Sequence, residues 1–231
     1  MEDENISNIA NYGFLRDERV EKYFADINIM LLSGKHIDEK YYVAFSLLEE
    51  KQEQWTQYYK NLYNLNLIAD RFDGHPYFYL DFFDTAKGKF TLSSRHRELT
   101  ETQTLIGLML LDIYYKRFFD EHKIVRWTEL RKIILEGEQQ DAYKRILFNE
   151  IRISNTYDAR EWGNVHRKMN AVIDLFDKIG WIEKQASSLE EVPNFEIKPA
   201  INRLSKMYEH ELLNFDTFVS ELKKGTRDDI S

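Results

Sequence analysis

The amino-acid sequence predicts a mainly α-helical protein with small β-hairpins, an α+β class in which one order of elements occurs twice. Three observations support this. Apolar residues recur every three to four positions over most of the 231 residues, as on one face of a helix. Two pairs of short runs rich in aromatic and aliphatic residues interrupt that spacing, which is typical of hairpin strands. The nine Gly and three Pro lie singly, so long structureless connections are not expected.

The first half of the chain begins with three predicted helices. An apolar face over residues 20–31 predicts the first, and Gly34 is expected to end it at the C′ position. Asp38 can cap the next helix. The apolar stripe that follows is interrupted by the charged and amide-rich residues 49–54, so we expect two short helices rather than one long one.

A hairpin is predicted to close this first half. Residues 65–72 and 77–83 are rich in aromatic and aliphatic side chains, and Asp73-Gly74 lies between them. An Asp-Gly pair between such runs is a strong signal for a two-residue hairpin turn. Pro76 would then lie at the start of the second strand, a position that sheets tolerate.

The second half repeats this order and adds a helical tail that begins at Pro199, a residue favoured at the first position of a helix. The predicted segments are a buried central helix over 100–119, a helix from Thr128 to Gly137, a helix over 138–152, a loop over 154–158, a helix over 161–179 ended by Gly180, and strands over 181–184 and 195–198.

Three helices followed by a β-hairpin is the order of a winged helix, which is a helix-turn-helix with a wing. We therefore predict tandem winged-helix domains over residues 1–84 and 85–198, followed by a C-terminal helical tail over 199–231. The alternative at this level is an undifferentiated α+β domain, which the same pattern of elements also allows.

Composition excludes several classes of function. The formal net charge of −8 excludes a globally basic nucleic-acid binder, and the absence of Cys excludes disulfide scaffolds, cysteine nucleophiles and cysteine-based zinc sites. No phosphate-binding glycine loop occurs, and no two of the six His have the spacing of a metal motif. We expect a soluble cytoplasmic protein that is not an enzyme and needs no cofactor.

One pattern suggests a nuclease. Glu196 and Lys198 flank Ile197 on a predicted strand and resemble half of a metal-dependent nuclease site. Such a site needs a further carboxylate to hold Mg²⁺, and the preceding strand offers only Glu183. The favoured interpretation is a solvent-facing wing on which polar and apolar residues alternate.

Charge is unevenly distributed, and the middle of the chain can face a polyanion. Residues 85–180 carry 17 basic and 14 acidic residues, whereas residues 1–84 carry 8 and 16. On the helix over 161–179, polar residues lie opposite the apolar face, with Asp174 among them. These side chains can contact DNA phosphates without reading bases; the alternative is an ordinary solvated helix face. The candidates at this helix are Arg160, Asn164, Arg167 and Lys168, and a cluster just before it, expected to add to the same surface, contributes Lys144, Arg145 and Arg152.

The predicted first wing is aromatic on both faces. A two-stranded wing normally leaves one face in water, so apolar residues on both faces suggest that another chain covers one of them. Burial in the protein's own core is the alternative. The candidates for this partner interface are Tyr77, Tyr79, Phe82 and Phe83.

Several local stretches carry a resemblance to a known family. Residues 29–37 contain a Ser-Gly-basic-His-Ile step, residues 77–80 form an aromatic strand, residues 175–182 run from a helix through Gly into a hydrophobic pair, and Phe195-Glu-Ile precedes a helix. Together with the order of elements over residues 14–220, they resemble MukE and its relatives, the tandem winged-helix subunits of bacterial SMC complexes. The chain departs from the enterobacterial type in its short acidic tail and in segment 137–158.

The resemblance implies a non-enzymatic homodimeric subunit that binds a kleisin of the MukF type and, through it, an SMC ATPase of the MukB type. It implies sequence-independent DNA contact near the ATPase heads, with Arg152, Arg160, Arg167 and Lys168 as matching positions. The role would be nucleoid-associated chromosome organisation or, in the Wadjet branch, plasmid defence. The alternative is a winged-helix regulator of transcription or plasmid replication that binds duplex DNA directly.

Overall fold

The fold is mostly helical and contains two small antiparallel sheets of three strands each, which confirms the predicted class. A computed structural model describes residues 12–82, 99–185 and 191–209. The chain divides into two compact units, Met1–Arg97 and Glu98–Ser231. The domain boundary expected after residue 84 lies outside the described residues and stays a prediction.

The first unit contains three α-helices and a three-stranded sheet among its described residues. Two 3₁₀ helices, Tyr12–Arg16 and Glu39–Tyr41, precede α1 and α2 respectively. The elements in chain order are α1 (Glu18–Leu32), β1 (Ile37–Asp38), α2 (Tyr42–Glu50), α3 (Gln52–Tyr63), β2 (Leu65–Phe72) and β3 (His75–Phe82).

Local signals set the ends of these helices. The Asp17 side chain accepts hydrogen bonds from the backbone N–H groups of Arg19 and Val20 and so caps α1. Gly34 follows α1 with φ +85°, a conformation that glycine adopts without steric cost, which confirms the predicted end. Asp38 caps the 3₁₀ helix before α2. The break between α2 and α3 falls at Lys51, within the predicted interruption.

The predicted hairpin of the first unit is present, with its first strand over the predicted residues, its second strand beginning at His75 instead of residue 77, and Phe83 outside the described residues. Asp73 and Gly74 both have positive φ, and Phe72 pairs with His75 across the turn. This is the geometry that a two-residue turn requires. The short strand β1 adds to the free edge of β3, so the order in the sheet is β1-β3-β2. The sequence pattern did not predict β1.

Among the described residues, the second unit repeats the plan with two additional α-helices, one before its hairpin and one after it. Its sheet has the order β4-β6-β5, in which the last strand again lies between the other two. The elements in chain order are α4 (Glu101–Lys116), β4 (Ile124–Val125), α5 (Trp127–Glu136), α6 (Gln140–Phe148), α7 (Ala159–Lys178), β5 (Ile182–Lys184), β6 (Phe195–Ile197) and α8 (Arg203–Met207). The first unit has three helices before its hairpin and the second has four, which is consistent with an α+β fold of winged-helix-like type.

Two segments of the second unit differ from the prediction. The helix expected over 138–152 ends at Phe148, because Asn149 has φ +61° and leaves the helical region. Pro199 begins a 3₁₀ helix, Pro199–Asn202, which leads into α8. From position 210 onward, the helical tail predicted over 199–231 lies outside the described residues.

The core of the second unit is built around α4, which is buried nearly all round as predicted. Ile201 and Leu204 from the C-terminal segment are fully buried and belong to this unit. Gly107 permits the side chains of Leu204 and Phe176 to approach α4 closely, since a Cβ atom at this position would lie 2.7 Å from Leu204 Cδ1 and 3.3 Å from Phe176 Cζ.

Replacement of Gly107 by leucine is expected to destabilise the second unit by about 1–3 kcal/mol, because the added side chain overpacks the contact of α4 with Leu204 and Phe176. Urea unfolding followed by circular dichroism measures the loss. Gly163→Leu is the control, because a Cβ at Gly163 meets no atom within 4 Å. Equal stability of the two variants would contradict the proposed packing.

Candidate nucleic-acid interface

Helix α7 separates an apolar face from an exposed polar one. Val165, Met169 and Phe176 are fully buried, whereas Arg160 and Arg167 are exposed on the opposite side. A capping box fixes the start of the helix: the Asp158 side chain accepts from the Glu161 N–H, and the Glu161 side chain accepts from the Asp158 N–H. The polar face predicted from periodicity therefore exists and is accessible.

Three guanidinium groups are available at this surface. Arg145 on α6 and Arg160 on α7 are exposed, and no carboxylate of the described residues forms an ion pair with either. Arg167 donates a hydrogen bond to the side-chain oxygen of Asn164, one turn earlier on the same face. Asp174, which would repel phosphate, forms an ion pair of 2.9 Å with Lys184. The face thus keeps its positive charge.

The structure does not support Lys144 as a DNA contact. Its side chain is only 3 % exposed, and its ammonium donates to Gln140 Oε1 one turn earlier on α6. The reason is its place on the helix: Lys144 lies on the same side as Leu147, which faces the core. Spacing in the sequence did not reveal which side of α6 is buried.

Arg152 is a structural clamp rather than an open cation. It forms ion pairs with Glu150 at 2.8 Å and with Glu161 at 2.7 Å, and it donates to the Thr156 carbonyl at 3.1 Å. Hydrogen bonds from its guanidinium to Glu150 and Glu161 raise the pKa of Arg152 further above its usual value. Two carboxylates neutralise the charge, so little of it remains for a phosphate.

Lys168 supplies hydrogen-bond donors to the C-terminal end of α6. Its ammonium donates to the carbonyl oxygens of Ile146 and Leu147, at 2.8 and 3.1 Å. The last carbonyls of a helix lack partners within the helix, and a lysine is suited to this position. Burial lowers the pKa of Lys168. The side chain therefore joins α6 to α7, and its ammonium is engaged by these two carbonyls.

Lys168→Met is expected to remove a pH-dependent part of the stability. In the folded chain the pKa of Lys168 is lowered from 10.5. At pH values between the folded and the unfolded pKa, the unfolded chain therefore binds more protons than the folded one. The contribution of this group to the free energy of unfolding rises with pH over that range. Urea unfolding in alkaline buffers should show the stability difference between the wild type and Lys168→Met change with pH in favour of the wild type, whereas groups of opposite sign, such as Tyr59, act equally in both proteins. An identical pH dependence in both proteins would contradict the assignment.

Helix α5 adds a cation that the sequence reasoning missed. The Arg131 guanidinium lies 4.7 Å from the centre of the Trp162 ring on α7, a cation–π distance. Arg131 is exposed, as are Arg126 and Lys132. The sequence did contain a signal for this exposed face. The apolar residues Trp127, Leu130 and Ile134, which are buried, recur at helical spacing and leave the basic residues on the other side of α5.

The aromatic residues of the first wing are mostly internal. Tyr77 and Tyr79 are only 1 % and 6 % exposed, and both rings pack against the buried His36. They leave little surface for another chain in this conformation. Phe82 is half-buried, and Phe83 lies outside the described residues. The partner interface stays a prediction, and Phe82 is its most accessible described member.

The nuclease-like pair on the second wing is engaged in ion pairs. Lys198 contacts Glu196 at 2.7 Å and Glu183 at 2.9 Å, and His122 contacts Glu196 at 3.1 Å. Lys198 thus occupies the space between the two carboxylates, where a cation would have to bind. Within the described ranges, no group of three or more His, Asp or Glu side chains is arranged to hold a metal ion.

Comparison with known proteins identifies a match over most of the chain. A family model described as the condensin complex protein MksE matches residues 22–209, which includes most of both units. No curated protein matches the chain. Among the described residues, no helix has the length and apolar character needed to cross a membrane.

Proposed function

Because the chain belongs to the MksE family of condensin complex proteins, we propose that it is a non-catalytic accessory subunit of a bacterial SMC complex. In this role it dimerises, binds the kleisin subunit and contacts DNA near the ATPase heads, to which the kleisin connects it. The observation that carries the proposal is the extent of the family match, which covers the helices and wings of both units rather than one isolated motif.

The exposed face of α7 supports the DNA contact. Arg160 and Arg167 present positive charge to solvent on α7, as Arg145 does on α6, while Asn164 is the one amide among the candidates. Sequence-specific reading usually needs several side chains that form paired hydrogen bonds with base edges. This face is better suited to phosphates, so the proposed contact is independent of DNA sequence.

The cellular role that we propose is organisation of DNA in the cytoplasm, close to the nucleoid. Two branches fit the same subunit: chromosome organisation and segregation, or exclusion of plasmids by a Wadjet-type complex. The genes next to this one distinguish them, because a long coiled-coil ATPase and a kleisin fit both branches, whereas an additional toprim-type nuclease fits only the second.

Co-purification tests the proposed partners. The full chain is expressed alone and with the kleisin-like product of the neighbouring gene, and both samples are measured by light scattering. We expect a dimer in the first sample and a stable larger complex in the second. A chain that does not bind the neighbouring product, and instead binds tightly to one particular duplex, would be a DNA-binding regulator and would refute the proposal.

Charge reversal tests the DNA contact. In the variant with both Arg160→Glu and Arg167→Glu, affinity should fall similarly for every duplex sequence, and the slope of log affinity against log salt should decrease by about two. Fluorescence anisotropy over a salt series measures both quantities. The matched control reverses Lys22 and Lys60, two exposed cations of the first unit. A changed preference for one duplex would favour the regulator.

A further inference from the structure

The loop between α6 and α7, residues 149–158, presents aliphatic side chains to solvent. Ile153 is fully exposed and Ile151 is exposed by more than a third. Isolated apolar residues are common on protein surfaces and need no explanation by themselves. Two features of the surroundings distinguish Ile153 from such isolated residues. Hydrogen bonds hold the loop in place, and guanidinium groups without a carboxylate partner among the described residues lie before and after it in the chain.

The loop is held in place by side-chain hydrogen bonds. The Tyr157 hydroxyl donates to the Glu150 carbonyl at 3.1 Å and accepts from the Arg152 N–H at 3.3 Å. Asn155 has φ +53°, and its side-chain amide donates to the Leu135 carbonyl on α5 at 3.1 Å. Arg152 joins the loop to Glu161 on α7. Ile153 is therefore exposed on a braced loop, and binding through it costs little ordering of the chain.

Unpaired guanidinium groups lie at both ends of the loop. Arg145 lies one turn before the end of α6, and Arg160 lies in the first turn of α7. The contacts of Lys168, near the middle of α7, with the Ile146 and Leu147 carbonyls hold the end of α6 against α7. Of the acidic residues in the loop and at the start of α7, Glu150 and Glu161 are paired with Arg152, and the Asp158 side chain caps α7 by accepting from the Glu161 N–H. An apolar tip between free arginines complements a duplex, with phosphates for the cations and stacked bases for the tip.

We propose that Ile153 is an apolar wedge that enters a groove of duplex DNA and inserts between base steps while the flanking arginines contact phosphates. Aliphatic side chains used in this way unstack and kink the duplex, preferentially at flexible pyrimidine–purine steps. The inference rests on the DNA contact proposed above and adds local deformation of the DNA to it.

The test measures base unstacking as well as affinity. The full chain at low salt is added to a duplex with 2-aminopurine at a central TA step, since the fluorescence of this base rises when it unstacks. Wild type and Ile153→Met should raise the fluorescence, and Ile153→Ala should abolish the rise and weaken binding by roughly fivefold or more. Ile29→Ala, at an exposed isoleucine of α1, is the matched control and should behave as wild type.

The other outcomes separate this inference from the proposed function. If the wild type binds and Arg160→Glu weakens binding, but fluorescence does not rise, the wedge is refuted and the phosphate contact stands. If Ile153→Ala prevents binding of the kleisin-like product and leaves DNA binding unchanged, the loop is a protein contact and the wedge is again refuted. If neither the wild type nor any variant binds any duplex, the proposed DNA contact itself is refuted.

Discussion

Trp55→Ala is expected to destabilise the first unit by about 3–5 kcal/mol, the range for removal of a large aromatic side chain from a core. Trp55 is fully buried on α3 and stacks against Phe24 and Tyr59, with ring centres 5.7 and 5.9 Å apart. Its indole N–H donates to the Leu47 carbonyl on α2 at 3.2 Å, so the substitution also removes one of the two hydrogen bonds to that carbonyl, which keeps the one from the Lys51 N–H.

Chemical denaturation followed by circular dichroism measures this effect. Trp55→Phe should recover part of the loss, because it restores ring packing but not the hydrogen bond to Leu47. Tyr42→Ala is the control, since that aromatic side chain is 75 % exposed and its removal should change stability by about 0.5 kcal/mol or less. A loss below about 1 kcal/mol for Trp55→Ala would contradict the packing described for this unit.

Phe176→Ala is expected to have an effect of similar size on the second unit, about 3–5 kcal/mol. Phe176 is fully buried on α7, packs against Trp181 with ring centres 5.1 Å apart, and faces Gly107 on α4. The cavity would lie directly beneath the helix that carries Arg160 and Arg167. We therefore expect both the stability of this unit and its affinity for DNA to fall.

Phe119→Ala is the matched control, because Phe119 is 97 % exposed in the same unit. Unfolding and DNA anisotropy are measured on the same samples, and Phe176→Leu should restore most of the stability. If Phe176→Ala lowered stability but left DNA affinity unchanged at temperatures where it stays folded, the basic face would not depend on α7 being seated on this core.

Helical periodicity alone located the exposed face of α7. Val165, Met169 and Phe176 define a buried side, and the opposite side has to carry Arg160 and Arg167, since a helix of regular geometry allows no other placement. Periodicity could not decide the state of Arg152, because its partners Glu150 and Glu161 come together only when the loop folds onto α7.

The fold, too, was partly predictable from the sequence and partly decided by tertiary contacts. Asp73-Gly74 and Gly34 act over a few positions of the chain, so the hairpin turn and the end of α1 were predictable from sequence. The strands β1 and β4 have two residues each and become strands only by pairing with β3 and β6. No two-residue segment carries a periodic signal, and the pairing energy comes from residues about forty to seventy positions away. Tertiary contacts therefore decided the third strand of each sheet, the burial of Lys144 and Tyr77, and which basic side chains remain available to a partner.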